Sequence, residues 1–220
     1  SMSLDEAFRN AVAELGPFQP PYPDALARID IIEMGALQGG IVGFDDEHAR
    51  VIAATVDGPG GPIRVLNGYF VNGQAPESDK FAYKMKWLDG LQAYVRAELA
   101  RQPRLLLMGD FNIVPEDRDS YDPVGLAGTI HHTEAERAHF RALLGLGLAD
   151  SFRLFEQPPK SYSWWDYRML GYPKNRGLRI DHILVSDALR PQVSACSIDR
   201  VPRKWDKPSD HAPVIVELSD

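Results

Sequence analysis

Apolar residues recur at two different spacings, and these spacings divide most of the chain into strands and helices. Apolar and β-branched residues fill 50–56 and 63–70, and the stretch 57–61 between them is rich in glycine and proline. This pattern is typical of a β-hairpin. The next stretch has helical spacing and can be capped by Ser78 or Asp79. Its apolar positions are Phe81, Met85, Leu88, Leu91, Val95 and Leu99.

The second half of the chain predicts one buried strand, one helix and several further strands. The run 104–108 is short and apolar, as expected of a strand buried on both faces. Thr133 and Glu136 form a capping-box pattern that starts a second helix. Further strands are expected at 162–167, 178–186, 193–201 and 212–218. This mixed order favours an α+β fold with packed sheets, and the long polar stretch 113–133 is interpreted as a functional loop.

Composition sets limits on the class of protein. The chain has 220 residues, of which 44% are hydrophobic, and this length supports one domain with a sizeable core. No apolar run reaches the roughly 20 residues that span a bilayer, so no membrane association is expected. The single cysteine, Cys196, is expected to be buried and fits a reducing cytoplasm. The net charge of −7 argues against a nucleic-acid binder, but only weakly, because it does not describe any one face.

Two polar clusters follow or precede predicted strands. Asp110 and Asn112 come directly after the buried strand, where a carboxylate can polarise a water and an amide can donate to a phosphoryl oxygen. Asp210 and His211 precede the last strand and combine a hard metal ligand with a titratable donor. Taken alone, the first pair is equally consistent with an Asx turn, and the second with a solvated loop.

Two more clusters lie between these. Asp181 stands in an apolar strand and needs a partner, for which His211 and the arginines at 176 and 179 are candidates. Trp164 and Trp165 are adjacent on a predicted strand, so they point to opposite faces and one of them is expected in the core. An exposed tryptophan near Arg168 can stack on a nucleotide or on an empty sugar.

The four clusters occur in an order that resembles the exonuclease III family. The resembling segments are NGYF, GDFN, SWWDYR, NRGLRIDHIL and KPSDHAPV, and the similarity runs from about Arg50 to Leu218. GDFN with SDHAP marks the wider endonuclease/exonuclease/phosphatase superfamily, and the tryptophan-rich and NRGLRID segments resemble its DNA repair branch. The resemblance implies a four-layer α/β sandwich of two packed mixed sheets flanked by helices.

The resemblance also implies a catalytic mechanism. A water attacks phosphorus in line with the help of Mg²⁺, for which Mn²⁺ can substitute. Asp110 would orient or deprotonate this water, and Asn112 would hold water and phosphate. His211 would stabilise charge on the phosphoryl oxygens, with Asp181 as its orienting partner. Tyr69 would contact the phosphate near the leaving group.

Metal and DNA contacts are implied in the same way. Asp210 matches a metal-site carboxylate, and the expected partner is double-stranded DNA with abasic sites or 3′ ends. The expected DNA-binding residues, including an apolar pocket for an abasic deoxyribose, are Asn72, Lys80, Lys84, Trp164, Trp165, Arg168 and Leu178.

The N-terminal segment departs from this pattern. Residues 1–43 contain neither the Asn-x-Asn motif nor the Gln-Glu motif of the family, so we interpret them as a divergent segment and 44–220 as the catalytic domain. The first strands of the family fold are then absent or replaced, and Glu33 is the candidate for the missing metal ligand. A helix is predicted over 4–15. Apolar surface left uncovered by this change can be covered by an oligomer that exchanges N-terminal segments.

These features predict an exonuclease III-type enzyme with 3′→5′ exonuclease, abasic-site endonuclease and 3′-phosphodiesterase activity. The absent family Glu motivates a second hypothesis, a catalytically impaired variant that only binds DNA or acts as a scaffold. A third hypothesis is a phosphatase or phospholipase of the same superfamily, against which the paired tryptophans and the NRGLRID segment argue.

Overall fold

The computed structural model describes residues 33–36 and 50–219, all of them within one compact unit, Ile31–Asp220. The helix expected over 4–15 lies outside the described residues. Two α-helices are described, α1 (Asp79–Arg101) and α2 (Glu134–Leu144). The strands in chain order are β1 (Glu33–Ala36), β2 (Val51–Gly58), β3 (Gly61–Tyr69), β4 (Leu105–Asp110), β5 (Leu148–Asp150), β6 (Trp164–Trp165), β7 (Gly177–Leu178), β8 (Asp181–Ser186), β9 (Val193–Ile198) and β10 (Val214–Leu218).

Six strands form the main sheet in the order β1-β2-β3-β4-β8-β5. β3 and β4 are parallel, which requires a crossover connection, and α1 provides it. The other neighbours in this sheet are antiparallel. β4 therefore lies inside the sheet, with a parallel neighbour on one side and an antiparallel neighbour on the other.

The two faces of the main sheet pack against different layers. Leu105 and Leu107 of β4 belong to the core shared with the helices, together with Trp87 of α1 and Phe140 of α2. Leu106 points the other way, into a second core. That core is shared with β9 and β10, which form a two-stranded antiparallel sheet among the described residues. Side chains alternate along a strand, so Asp110 lies on the same face as Leu106.

The structure confirms the predicted elements with shifted ends. The hairpin is present as β2 and β3, Ser78 caps α1, and Thr133 with Glu136 forms the capping box of α2. The strand expected at 162–167 is reduced to the two residues of β6. The mixed α+β class with two packed sheets is confirmed. In the described part of the chain, no helix is both long and apolar enough to cross a membrane.

Candidate active site

The candidate site lies in one row across three neighbouring strands. Tyr69 at the end of β3 stands beside Asp110 at the end of β4, and Asp110 stands opposite Asp181 at the start of β8. Hydrogen-bonded neighbours in a sheet are about 4.8 Å apart. Residues that are 112 positions apart in sequence therefore meet at one edge of the sheet.

Gly109 permits the close approach that forms this row. Its φ is +134°, and a Cβ atom at this position would lie 1.9 Å from the carbonyl oxygen of Gly68 in β3. A side chain at residue 109 would therefore push β3 and β4 apart next to Asp110. This is a physical reason for glycine immediately before Asp110.

Asp110 is held by the residue two positions after it. Asn112 has a φ of 51°, a left-handed conformation that asparagine tolerates better than most residues. Its backbone N–H donates to Asp110 Oδ1 (2.9 Å), and its side-chain Nδ2 donates to Asp110 Oδ2 and to the Phe70 carbonyl (3.1 Å each). Nδ2 of Asn72 in turn donates to Asn112 Oδ1 (3.2 Å). Both Asp110 oxygens are thus oriented by Asn112.

Asp181 and His211 form the second half of the site. His211 Nδ1 donates to both carboxylate oxygens of Asp181, at 3.0 and 2.9 Å. The carboxylate therefore fixes the tautomer and orientation of the ring. The alternative partner considered for Asp181, Arg179, binds Asp119 and Asp150 instead.

Burial and neighbouring charges shift both titrating groups at the site. Burial raises the pKa of Asp110 to about 6, and the adjacent Asp181 carboxylate adds to this effect. Burial by itself lowers the pKa of His211. The hydrogen bond and charge of Asp181, with the charges of Asp110 and Asp210, outweigh burial and raise the pKa of His211 above its usual value. The site thus combines a carboxylate poised near neutral pH with an imidazole that favours the charged form.

A cleft of about 420 Å³ is lined by Asp110, Asp181 and His211. Asp210 lies beside His211 in sequence, and its Oδ2 accepts a hydrogen bond from Trp164 Nε1 (2.9 Å). A second cavity, of about 470 Å³, is lined by Trp164, Leu178 and Arg168 among others. Trp164 therefore joins the wall of this cavity to Asp210, which stands next to His211 of the cleft in sequence.

The predicted DNA-binding residues divide into exposed and buried groups. Asn72, Lys80 and Arg168 are exposed, and Arg168 pairs with Asp166. Tyr69 is 59% exposed and has the guanidinium of Arg50 over its ring (5.6 Å).

Two predicted DNA contacts are wrong because the side chains are fully buried. Trp165 is 0% exposed, donates to Asn175 and packs edge-on against Tyr172. It is the core member of the tryptophan pair. Lys84 is also 0% exposed, and its Nζ bonds Glu136. Neither side chain can reach DNA in this structure.

The backbone does not bring Glu33 to the site. Glu33 stands opposite Thr55, Thr55 opposite Arg64, and Arg64 opposite Leu105, at the far end of β4 from Asp110. Three strand spacings amount to about 14 Å, and five residues along a strand to about 17 Å. This register does not support Glu33 as a ligand beside Asp210.

Sequence reasoning did not find a buried network of charged side chains that is centred on Arg179. Arg179 is 1% exposed and is bound by the carboxylates of Asp119 and Asp150. Its Nη1 also donates to Nδ1 of His182 (3.1 Å), whose Nε2 donates to the Ile113 carbonyl (3.0 Å). Burial, with the nearby Arg179 charge, lowers the pKa of His182 to about 4, consistent with a neutral ring.

His131 is a further missed residue, next to the site in space but not in sequence. Its Nδ1 donates to the Asn112 carbonyl (2.7 Å), and it also lines the larger cavity. Burial, with the Lys84 charge, lowers the pKa of His131 to about 4. In the sequence, the one feature that points to His131 is its place in the loop 113–133, which we interpret as functional.

Single carboxylates are the candidate metal ligands among the described side chains. No group of three or more His, Cys, Asp or Glu in the described ranges is arranged to hold a metal. Mg²⁺ in phosphoryl-transfer sites is commonly bound by one or two carboxylates together with substrate phosphate oxygens and water. Asp210, next to His211 in sequence, is a hard oxygen donor of this kind.

Comparison with known proteins agrees with this geometry. Residues 26–211 match the Endonuclease/Exonuclease/phosphatase family, and the chain belongs to this family. This match begins at residue 26, inside the segment 1–43, which contains neither of the two N-terminal family motifs.

Within the family, the similarity is to exodeoxyribonuclease III. The chain is 37% identical to exodeoxyribonuclease III of Haemophilus influenzae over 186 residues, which cover 79% of this chain and 68% of the relative. It is 30% identical to an exodeoxyribonuclease of Bacillus subtilis over 170 residues, covering 77% and 64% respectively. The chain thus spans about two thirds of the length of these relatives. The exonuclease III resemblance is confirmed, and the enzyme class is that of a nuclease-type hydrolase.

Solved structures show the same fold. The 3′ phosphatase NExo from Neisseria, solved bound to a product DNA hairpin, is 43% identical with a TM-score of 0.81, covering 87% of this chain and 72% of that one. An AP endonuclease from Archaeoglobus fulgidus is 29% identical with a TM-score of 0.77, covering 86% and 72%.

Proposed function

We propose that the protein is a metal-dependent phosphodiesterase of DNA repair, which acts on DNA as a 3′→5′ exodeoxyribonuclease and as an endonuclease at abasic sites. The observation that carries this proposal is the convergence of Asp110, Asn112, Asp181 and His211 at one edge of the main sheet. The relatives named as exodeoxyribonuclease III and AP endonuclease support DNA as the substrate.

Asp110 is the group that accepts a proton from the attacking water. Its pKa of about 6 leaves it ionised at neutral pH and still basic enough to take a proton. Both hydrogens of Asn112 Nδ2 are engaged by Asp110 and Phe70. We therefore assign Asn112 the orientation of the Asp110 carboxylate, in place of the direct phosphate contact expected from the family pattern.

His211 is the group that faces the phosphoryl oxygens. Asp181 holds Nδ1, so a protonated ring presents Nε2–H to the charge on the phosphoryl oxygens. A bound Mg²⁺, held with Asp210 as a ligand, would supply further neutralisation of this charge. Trp164 and Leu178 provide apolar surface for a nucleotide or an empty deoxyribose beside the cleft, and exposed Arg168 lies at its rim.

The test is cleavage of three end-labelled duplexes, one with an internal abasic site, one with a plain 3′ end and one with a 3′ phosphate, each with Mg²⁺ or with a chelator. We expect Mg²⁺-dependent cleavage that Asp110→Asn reduces by about 10²- to 10⁴-fold, the usual contribution of a general base. Asp187→Asn is the matched control, because Asp187 is exposed and follows the opposite end of β8 from Asp181. Equal cleavage by both variants would remove Asp110 from its role. Binding to abasic DNA without metal-stimulated turnover would favour a binding or scaffold protein instead.

A further inference from the structure

Lys84 in α1 is a charged side chain with no access to solvent. It is 0% exposed, and its ammonium donates to the Asn72 carbonyl (3.1 Å), the Asn112 carbonyl (2.8 Å) and Glu136 Oε1 (2.5 Å). A lysine ammonium has three hydrogens, and all three are used. Burial lowers the pKa of Lys84, and the charge of Glu136 counteracts part of this effect.

The three acceptors belong to three different parts of the fold. Asn72 follows β3 and Asn112 follows β4, so one ammonium ties together the two chain segments that leave the catalytic edge of the sheet. Glu136 is itself fixed, because it forms the capping box with Thr133 and accepts the N–H of His131 (3.1 Å). Lys84 therefore connects α1, α2 and both strand ends.

Burying a charge pair is costly, and apolar residues of similar volume often give equal or greater stability. A buried lysine in this place is therefore better explained by what it orients than by stability. The Asn112 backbone has a φ of 51°, and the Asn112 amide places both oxygens of Asp110. Lys84 binds the backbone carbonyl of Asn112, the same residue whose backbone N–H and side-chain amide hold Asp110.

We propose that Lys84 is a positioning residue for hydrolysis, which clamps the Asn72 and Asn112 carbonyls so that the Asn72 amide holds Asn112 and Asn112 holds Asp110 in its reactive orientation. This inference rests on the proposed function for its effect on rate. It differs from a DNA contact, since a fully buried ammonium contributes no phosphate binding. Removing the clamp should lower kcat and leave KM nearly unchanged.

The experiment uses paired substitutions, because Lys84→Met alone leaves Glu136 buried without its cation. Lys84→Met combined with Glu136→Gln removes both charges, and glutamine retains the capping box of α2. The matched control is Arg64→Met with Glu98→Gln, which removes another buried ion pair of α1 (2.7 Å) at the end of β3 remote from Asp110. We expect kcat of the Lys84 pair to fall on the order of 100-fold, as for a small displacement of a catalytic group. The Arg64 pair should retain kcat, with comparable loss of thermal stability.

A second measurement separates this inference from the proposed function. In ¹⁵N NMR spectra, the backbone N–H of Asn112 should lose hydrogen-exchange protection in the Lys84 pair and keep it in the Arg64 pair. If the wild-type protein cleaves no DNA, the proposed function fails while this measurement still decides the clamp. Unchanged protection, a kcat equal to that of the Arg64 pair, or an increase in KM alone would each overturn the positioning role.

Discussion

Replacing Gly109 by alanine should separate the strands that form the catalytic row. The new Cβ would lie 1.9 Å from the Gly68 carbonyl oxygen, well inside the 3.0 Å that real Cβ contacts respect. β3 and β4 must therefore move apart by about 1 Å, since the contact is with backbone and no flexible side chain can turn away. The positive φ of +134° adds strain of about 1–2 kcal/mol for a non-glycine residue. Overpacking adds about 1–3 kcal/mol, so the free energy of unfolding should fall by roughly 2–5 kcal/mol.

Gly128→Ala is the matched control for this substitution. Gly128 also has a positive φ, +73°, but a Cβ there would meet nothing within 4 Å. It should therefore show backbone strain without the clash. The melting temperature of Gly109→Ala should lie roughly 2–12 °C below that of Gly128→Ala, because the overpacking cost of about 1–3 kcal/mol corresponds to about 2–4 °C per kcal/mol for a chain of this size. Melting followed by circular dichroism gives this difference, and DNA cleavage at 25 °C shows whether activity is lost with it. Equal melting temperatures with retained activity would refute the argument that close approach of β3 and β4 requires glycine.

The remaining predictions concern charge. The kcat/KM for DNA cleavage should fall about tenfold per pH unit below about 6, because protonation removes Asp110 as a base. A profile of kcat/KM against pH that stays flat from about 5 to 7.5 would contradict this role. Arg179→Met should cost about 3–5 kcal/mol in urea unfolding at neutral pH, since it leaves the buried carboxylates of Asp119 and Asp150 without their cation. Arg168→Met, at an exposed ion pair, should leave the free energy of unfolding nearly unchanged, and similar losses for both would show that the Arg179 network is not a structural centre. Chelation should abolish cleavage without altering the melting temperature by more than a few degrees, and added Mg²⁺ should restore the activity.

Local patterns in the sequence were sufficient to predict the parts of the fold that depend on neighbouring residues. The hairpin of β2 and β3, both helices and the capping box of Thr133 follow from spacing, turn residues and caps. The tryptophan pair shows how far such patterns reach. Alternation along a strand predicted that one of Trp164 and Trp165 would be in the core, but it did not show which one.

Long-range pairing decided what the sequence could not show. The family pattern predicts Lys84 as a DNA contact, whereas its ammonium is buried against Glu136, which lies 52 residues away on another helix. Glu33 was a candidate ligand because of its residue type alone, and the strand register separates it from the site. Tyr69, Asp110 and Asp181 come together only through the pairing of β3, β4 and β8, which no local pattern specifies.

The net charge of −7 argues only weakly against a nucleic-acid partner, because charge is not evenly distributed along the chain. Residues 160–210 contain ten basic and six acidic residues, although the whole chain is acidic. Arg168 and Arg176 of this segment line the larger cavity, beside the cleft that holds Asp110 and Asp181. An anionic backbone bound at the cavity would thus meet the guanidinium groups of Arg168 and Arg176, of which Arg168 already pairs with Asp166. If DNA binds at the cavity and a metal ion at the cleft, each depends on the local charge of its own surface. The net charge of the whole chain does not determine either.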